Sequence, residues 1–306
     1  MSGVLLKAFS FVFIIFLAYF LKRVHLFGPK DYTVAVKIVL NITLPAAVVT
    51  SFAASPLDKS MLALAPVGFA ANCVMMGLGS LLGRRKEPGM RALYALALPG
   101  YNIGAFAMPF AQGFLGASGA AAACLFDTGN AIMCTGGTYA VTDLLLHKRR
   151  GENPLPALLK KLCGSVPFLT YVLMLALALA EVPVPKGIVD LIKPIADANP
   201  YCAMLMIGLM FELDLRPEIL KTVGLIVLLR NGAAALLSAA CYFLLPLPLI
   251  ARQALAVIVF APPSALTPAF TEKCGGDPAV ASCISSLCIV TALTGMICVL
   301  MLLGIA

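Results

Sequence analysis

Leu98-Pro99-Gly100-Tyr101-Asn102-Ile103-Gly104 breaks the middle of one apolar run, with Pro109 following. Phe260-Ala261-Pro262-Pro263-Ser264-Ala265-Leu266-Thr267-Pro268 breaks the middle of another. A proline removes a backbone donor and clashes with the carbonyl four residues back, so Pro99-Gly100 and Pro262-Pro263 are expected to unwind the helices that carry them. Unwound backbone at bilayer depth is tolerated only inside protein or beside a watery cavity. Each break also starts a new half-helix whose first amides are unpaired and partly positive, and Asn102 and Ser264 are suited to cap those ends. One such break reads as an ordinary proline kink. Two at matching places, with converging amide ends, read as an anion site at the midplane between Asn102 and residues 264–267. A carboxylate held there accepts charge-assisted bonds of roughly 1.5–3 kcal/mol each.

The rest of the chain has the make-up these breaks need around them. Of 306 residues, 61% are hydrophobic and 12% charged, and mean hydropathy is +0.99. A soluble domain carries roughly 25% charged residues, so this chain cannot cover a water-facing surface. Apolar runs bounded by charges, Gly and Pro predict ten helical spans: 4–22, 34–54, 61–83, 91–114, 117–146, 164–181, 188–211, 219–244, 252–273 and 279–305. The fold class is an all-α integral membrane protein with no room for a soluble domain, and the longest polar stretch, 147–161, reads as a loop. The first run contains Lys7 and ends in Lys22-Arg23 without a small-residue cleavage site, so it is expected to be a retained span. The net charge of +8 does not point to nucleic acid, because the basic residues cluster between apolar runs. Ten cysteines without a C-x-x-C pair, and only His25 and His147, give a metal centre or cofactor little to build on. Gly77-x-Gly79-x-x-x-Gly83 lies inside an apolar span and reads as helix packing.

Lys and Arg set the orientation. The joints after the odd-numbered spans hold fifteen: Lys22, Arg23, Lys30, Arg84, Arg85, Lys86, Arg91, Lys148, Arg149, Arg150, Lys160, Lys161, Arg216, Lys221 and Lys273. The other side holds five: Lys7, Lys59, Lys186, Lys193 and Arg252. Both termini are therefore expected on the non-cytoplasmic side of the cytoplasmic (inner) membrane. Sliding the sequence by 159 positions superimposes Asn72 on Asn231, Pro109 on Pro268 and Thr135-Gly136 on Thr294-Gly295. That offset spans five helices, an odd number, so residues 1–150 and 151–306 read as two inverted five-helix repeats of one membrane domain, with broken helices 4 and 9 crossing.

Other polar residues stand inside the spans. Asn41-Ile42-Thr43-Leu44-Pro45 and its counterpart Asn199-Pro200 put a polar residue ahead of a proline in both halves, as kinks or as cavity lining. Buried in an apolar run, the first is not expected to be glycosylated. Asp127-Thr128-Gly129-Asn130 and Arg230-Asn231 place ionisable groups mid-span, where they are costly and usually functional. Asp127 reads as a coupling group for H+ or Na+ or as the structural partner of Arg230. Arg230 reads as the counter-charge of a carboxylate substrate or as a snorkelling residue.

Taken in order, Asn41 to Pro45, Asn102-Ile103-Gly104 through Pro109, Asp127 to Asn130, Pro200 through Gly208 and Pro262-Pro263 resemble the auxin efflux carrier family, including bacterial members described as malonate or malate transporters. The resemblance covers essentially the whole chain, without the long central loop of the plant hormone carriers. It implies a ten-helix inverted repeat, a scaffold domain, and elevator-like alternating access for a mono- or dicarboxylate, with no enzymatic activity. Substrate contacts are expected from Asn41, Asn102, Gly104, Asn130, Arg230, Ser264 and Thr267. Hinges are expected at Pro45, Pro99, Gly100, Pro109, Pro200, Pro262, Pro263 and Pro268. The expected partners are a small carboxylate and the bilayer, with a homodimer left open. The related bile acid–sodium symporter family keeps a sodium-coupled symporter in view. An intramembrane enzyme would need paired aspartates or a His-rich motif, and neither is visible.

Overall fold

A computed structural model describes residues 2–28, 30–54, 58–147, 155–212 and 217–305. Among them the fold is all-helical, with no strand. The helices are α1 (Ser2–Arg23), α2 (Tyr32–Ile38), α3 (Leu44–Ala54), α4 (Leu64–Gly83), α5 (Pro88–Ala97), α6 (Met108–Ile132), α7 (Thr138–His147), α8 (Leu155–Cys163), α9 (Val166–Leu179), α10 (Lys186–Met210), α11 (Pro217–Leu244), α12 (Leu249–Ile258), α13 (Thr267–Lys273) and α14 (Pro278–Leu302).

Some of these run on through widened turns. Val39–Thr43 joins α2 to α3, Ile103–Ala107 leads into α6, and Met133–Gly137 joins α6 to α7 as π-helical turns. Pro45 and Pro109 each follow two residues after such a turn. A proline leaves a carbonyl without its donor, and a widened turn lets the neighbouring bonds re-form. Pro200, inside α10, frees the Ala196 carbonyl, which instead accepts from Gln112 Nε2 at 3.3 Å. Among the described residues, five helical runs are long and apolar enough to cross a bilayer: Tyr32–Ala54, Lys59–Gly83, Ile103–Leu146, Pro217–Leu244 and Pro278–Leu302. The bent pair Pro156–Cys163 and Val166–Leu179 makes a sixth if its two helices form one span. This is the make-up of a multi-pass membrane protein. The run Ile103–Leu146 is itself broken at Gly116 (φ 66, ψ −161), a conformation that only glycine adopts readily, between the predicted spans 91–114 and 117–146.

Residues 155–163 correct the reading of 147–161 as a loop. They form α8, bent by 78° from α9. Lys160 and Lys161 made the stretch look polar, but they occupy one face of a helix whose other positions are apolar. Lys148, Arg149, Arg150, Arg216 and the expected boundary between residues 150 and 151 lie outside the described residues.

Two groups of helices emerge from the packing. α1, α3 and α9 gather around α10 and its neighbours, while α4, α5, the later part of α6, and α11 to α14 surround the two breaks. Small residues let backbones approach: a Cβ on Gly129 would meet the Ala65 carbonyl at 1.8 Å, and one on Gly79 the Tyr94 carbonyl at 2.3 Å. Large apolar side chains that no protein covers, such as Phe9, Phe13, Phe16 and Phe20 on α1, give the outer face. Contacts also tie distant parts of the chain together at the two ends of the bundle. Lys59 pairs with Glu181 at 3.3 Å, and Lys7 Nζ donates to the Gly113 carbonyl at 2.6 Å. Elsewhere Lys22 Nζ donates to the Leu209 and Phe211 carbonyls at 2.8 and 2.6 Å, and Lys161 lies over the rings of Tyr139 and Phe270.

Candidate functional site

Helix α5 stops at Ala97, and the chain unwinds through Pro99 and Gly100 before the next half-helix opens at Ile103. Helix α12 stops at Ile258, and the chain unwinds through Pro262 and Pro263 before α13 opens at Thr267. The two breaks touch: the Asn102 N–H donates to the Pro262 carbonyl at 2.9 Å. Gly100 has φ +77, which favours glycine, and a Cβ there would already meet Ser264 at 3.4 Å.

Backbone groups freed by the first break are taken up by side chains from distant helices, as a water-free interior demands. Asn72 Oδ1 on α4 accepts from the Gly100 N–H at 2.7 Å. Asn130 on α6 takes both groups of Tyr101, its Oδ1 accepting from the N–H at 3.1 Å and its Nδ2 donating to the carbonyl at 2.7 Å. Asn72 Nδ2 in turn donates to Asn130 Oδ1 at 2.9 Å. The carbonyls belong to Arg230 on α11. Its Nη1 donates to Ala97 and Pro99, both at 3.3 Å, and to Leu98; its Nη2 donates to Gly100 at 2.8 Å and to Ala261 at 2.7 Å. One guanidinium thus closes the C-terminal, partly negative ends of both half-helices. It is 3% exposed and stands 5.2 Å from the centre of the Tyr101 ring.

These contacts revise several sequence expectations. Arg230 is neither snorkelling nor paired with Asp127; among the described residues no carboxylate lies within ion-pair reach of it. Asp127, 7% exposed, accepts from Asn130 Nδ2 and from the Tyr171 hydroxyl on α9, both at 2.7 Å, and from the Gly104 N–H. The half-helix amide expected to meet a substrate therefore already meets a carboxylate of the chain. Gly104 supplies that N–H and the room for it, since a Cβ would meet Leu44 at 2.7 Å. Asn130 is 1% exposed and spent on the break. Asn41 points away: it is exposed and donates to its own Lys37 carbonyl. Ser264 Oγ accepts from the Leu266 N–H at 3.3 Å, a local cap, and bonds Cys134. Asn102 makes no side-chain cap, because its carbonyl accepts from the Ala107 N–H in the widened turn and leaves the side chain unused.

What remains open is a cavity of about 80 Å³ against the crossing, lined by Asn102, Ile207, Met210, Pro262, Pro263, Ala265, Pro268, Ser282, Ser285, Ser286 and Ile289. Thr267 and Ser264 flank it without lining it. Serines 282, 285 and 286 were not singled out in the sequence. They stand on α14, where three serines in one apolar helix give a hydroxyl-bearing face only once its partner is known. Ser286 Oγ accepts from the Glu212 N–H at 3.0 Å and keeps its own proton to donate. No protein-family model matches this chain, and no curated protein matches it. Among the described residues the cavity has neutral donors from Asn102 and α14 and no charged group on its wall, and one uncompensated guanidinium bonds the Ala261 carbonyl next to Pro262.

Proposed function

We propose that this protein is a secondary carrier that moves a small organic anion across the cytoplasmic membrane, as its resemblance to the auxin efflux carriers implies. The observation that carries the reading is the direct contact of two broken helices beside a cavity with free Asn102 and serine donors. Arg230 gives that cavity a positive potential without occupying it, which in a low-dielectric interior acts over several ångströms. A carboxylate there gains hydrogen bonds and a distant counter-charge, and can still be released. At about 80 Å³ the cavity is smaller than the roughly 150 Å³ that accommodates a benzene ring. This favours a short mono- or dicarboxylate of the malonate kind over an aromatic acid. A thermal-shift screen of the purified protein should show stabilisation by carboxylates of two to four carbons; a shift only with cations or sugars would overturn the anion reading.

The architecture we propose is ten spans in two inverted repeats. Asn72 donates to the Gly68 carbonyl and to Asn130, and Asn231 donates to the Val227 carbonyl and to Thr291, so the superimposed asparagines make parallel bonds in the two halves. The end-to-end contacts agree with the alternation: Lys59 with Glu181 joins two even-numbered joints, and Lys22 with Phe211 two odd-numbered ones. Both termini then lie outside the cytoplasm. Single cysteines replacing Lys86 and Lys59 in a cysteine-free background should be labelled from the cytoplasmic and the outer side respectively; the reverse pattern would sink this topology.

In this reading the group around α10 is the scaffold, and the breaks move against it. Asp127 is bonded across that boundary to Tyr171. When Asp127 is ionised it opposes Arg230 through the Asn130–Tyr101 chain; when protonated it leaves Arg230 as the one buried charge at the crossing among the described residues, which favours an anion. Anion binding should therefore strengthen as pH falls. Asp127→Asn should hold the tight-binding form at every pH, flattening a pH series of binding titrations. A variant that keeps the wild-type pH or sodium dependence would remove Asp127 from coupling.

A further inference from the structure

Two further cavities meet along α1, each sharing one wall residue with the crossing cavity, Ser282 and Ile289 respectively. The larger, about 500 Å³, opens where the ends of α1 and α10 meet the start of α14, and its walls include Tyr19, Lys22, Arg23, His25, Phe211 and Glu212. The second, about 300 Å³, is a groove between α1 and α14 walled by Val12, Phe16, Ile289, Val290, Leu293 and Ile297. Tyr19 and Phe211 belong to both walls, so the basic mouth runs directly into the apolar groove. The groove faces outward: Val12, Phe16 and Val290 are 40%, 62% and 48% exposed. From Tyr19 to Val12 it follows α1 for about 10 Å at 1.5 Å per residue.

The mouth is positively biased. Among the described residues of its wall, Lys22 and Arg23 stand against one acid, Glu212, with His25 beside them. Arg23 spends only its Nε, donated to the Tyr19 hydroxyl at 2.9 Å, and lies 5.3 Å over that ring, so its outer N–H groups face the cavity unspent. In the topology proposed above this end faces the cytoplasm, the side where a membrane presents anionic headgroups.

We propose that this composite cavity seats one anionic phospholipid, its phosphate at Arg23 and Lys22 and one acyl chain laid between α1 and α14. The inference does not depend on the chain being a carrier. A single charged head joined to a long apolar tail is the chemistry that matches a basic mouth opening into a lipid-facing groove. A lipid so placed touches α1, which packs on α10, and α14, which packs on α11 and α13, and so bridges the two helix groups.

The test is native mass spectrometry of the full chain released from nanodiscs of equimolar phosphatidylglycerol and phosphatidylcholine. The wild type should retain phosphatidylglycerol about fivefold over phosphatidylcholine, which corresponds to about 1 kcal/mol for one basic side chain at the surface. Arg23→Gln should retain lipid but lose the preference, and Val290→Trp, which fills the groove at an exposed position, should retain neither. Leu236→Trp, on the outer face of α11, should behave as the wild type. Equal retention of both lipids by the wild type, or undiminished retention by Val290→Trp, overturns the proposal. So does decanoate that displaces phosphatidylglycerol and itself accumulates in proteoliposomes, which would assign the groove to a free fatty acid.

Discussion

Replacing Arg230 with alanine should remove the fold before it removes any activity. Five carbonyls at the ends of two half-helices lose their donor, in an interior where water does not reach them. Each buried polar group left unpaired costs about 1–3 kcal/mol, and even two or three such losses rival the 5–15 kcal/mol by which folded proteins are typically stable. Size-exclusion chromatography and thermal unfolding in detergent should give little monodisperse protein, or a melting temperature far below wild type. Arg230→Lys should fold but melt early, since a compact ammonium with three donors cannot span acceptors that a planar guanidinium reaches at once. An alanine variant that melts like the wild type while failing to bind would make Arg230 a substrate ligand and not a brace.

Asn102 should show the opposite behaviour. Its backbone N–H holds the two breaks together and survives substitution, whereas its side chain makes no bond in the structure. Asn102→Ala should therefore melt normally and bind the substrate anion roughly ten- to hundredfold more weakly, the loss of one charge-assisted hydrogen bond. Asn102→Asp, which sets a like charge against the carboxylate, should abolish binding by titration calorimetry. Wild-type affinity in both variants would move the site away from the crossing.

The breaks themselves were legible in the sequence because Pro99-Gly100 and Pro262-Pro263 cannot continue a helix wherever they stand. What supports them was not. Asn72, Asn130 and Arg230 reach the first break from 28, 29 and about 130 residues away, and no local pattern records those distances. An arginine inside an apolar span reads as a partner for a charged substrate, yet broken helix ends offer carbonyls that are equally good acceptors, and only the fold shows that they reach it first. Asn102 and Asn41 were misjudged for a common reason: each lies in or beside a widened turn, where the backbone bonding departs from the α-helical pattern on which capping and facing arguments rest. The residue types at the crossing were therefore readable, and their division into braces and open donors was not.

The central claim, that the crossing of the broken helices carries a small carboxylate, is tested most directly by counterflow in proteoliposomes. Vesicles preloaded with unlabelled malonate, succinate, malate or acetate should transiently accumulate the labelled form of at least one of them. Vesicles bearing Asn102→Asp should accumulate none. Exchange of none of these acids by well-folded wild-type protein, or equal exchange by the Asn102→Asp variant, would contradict it.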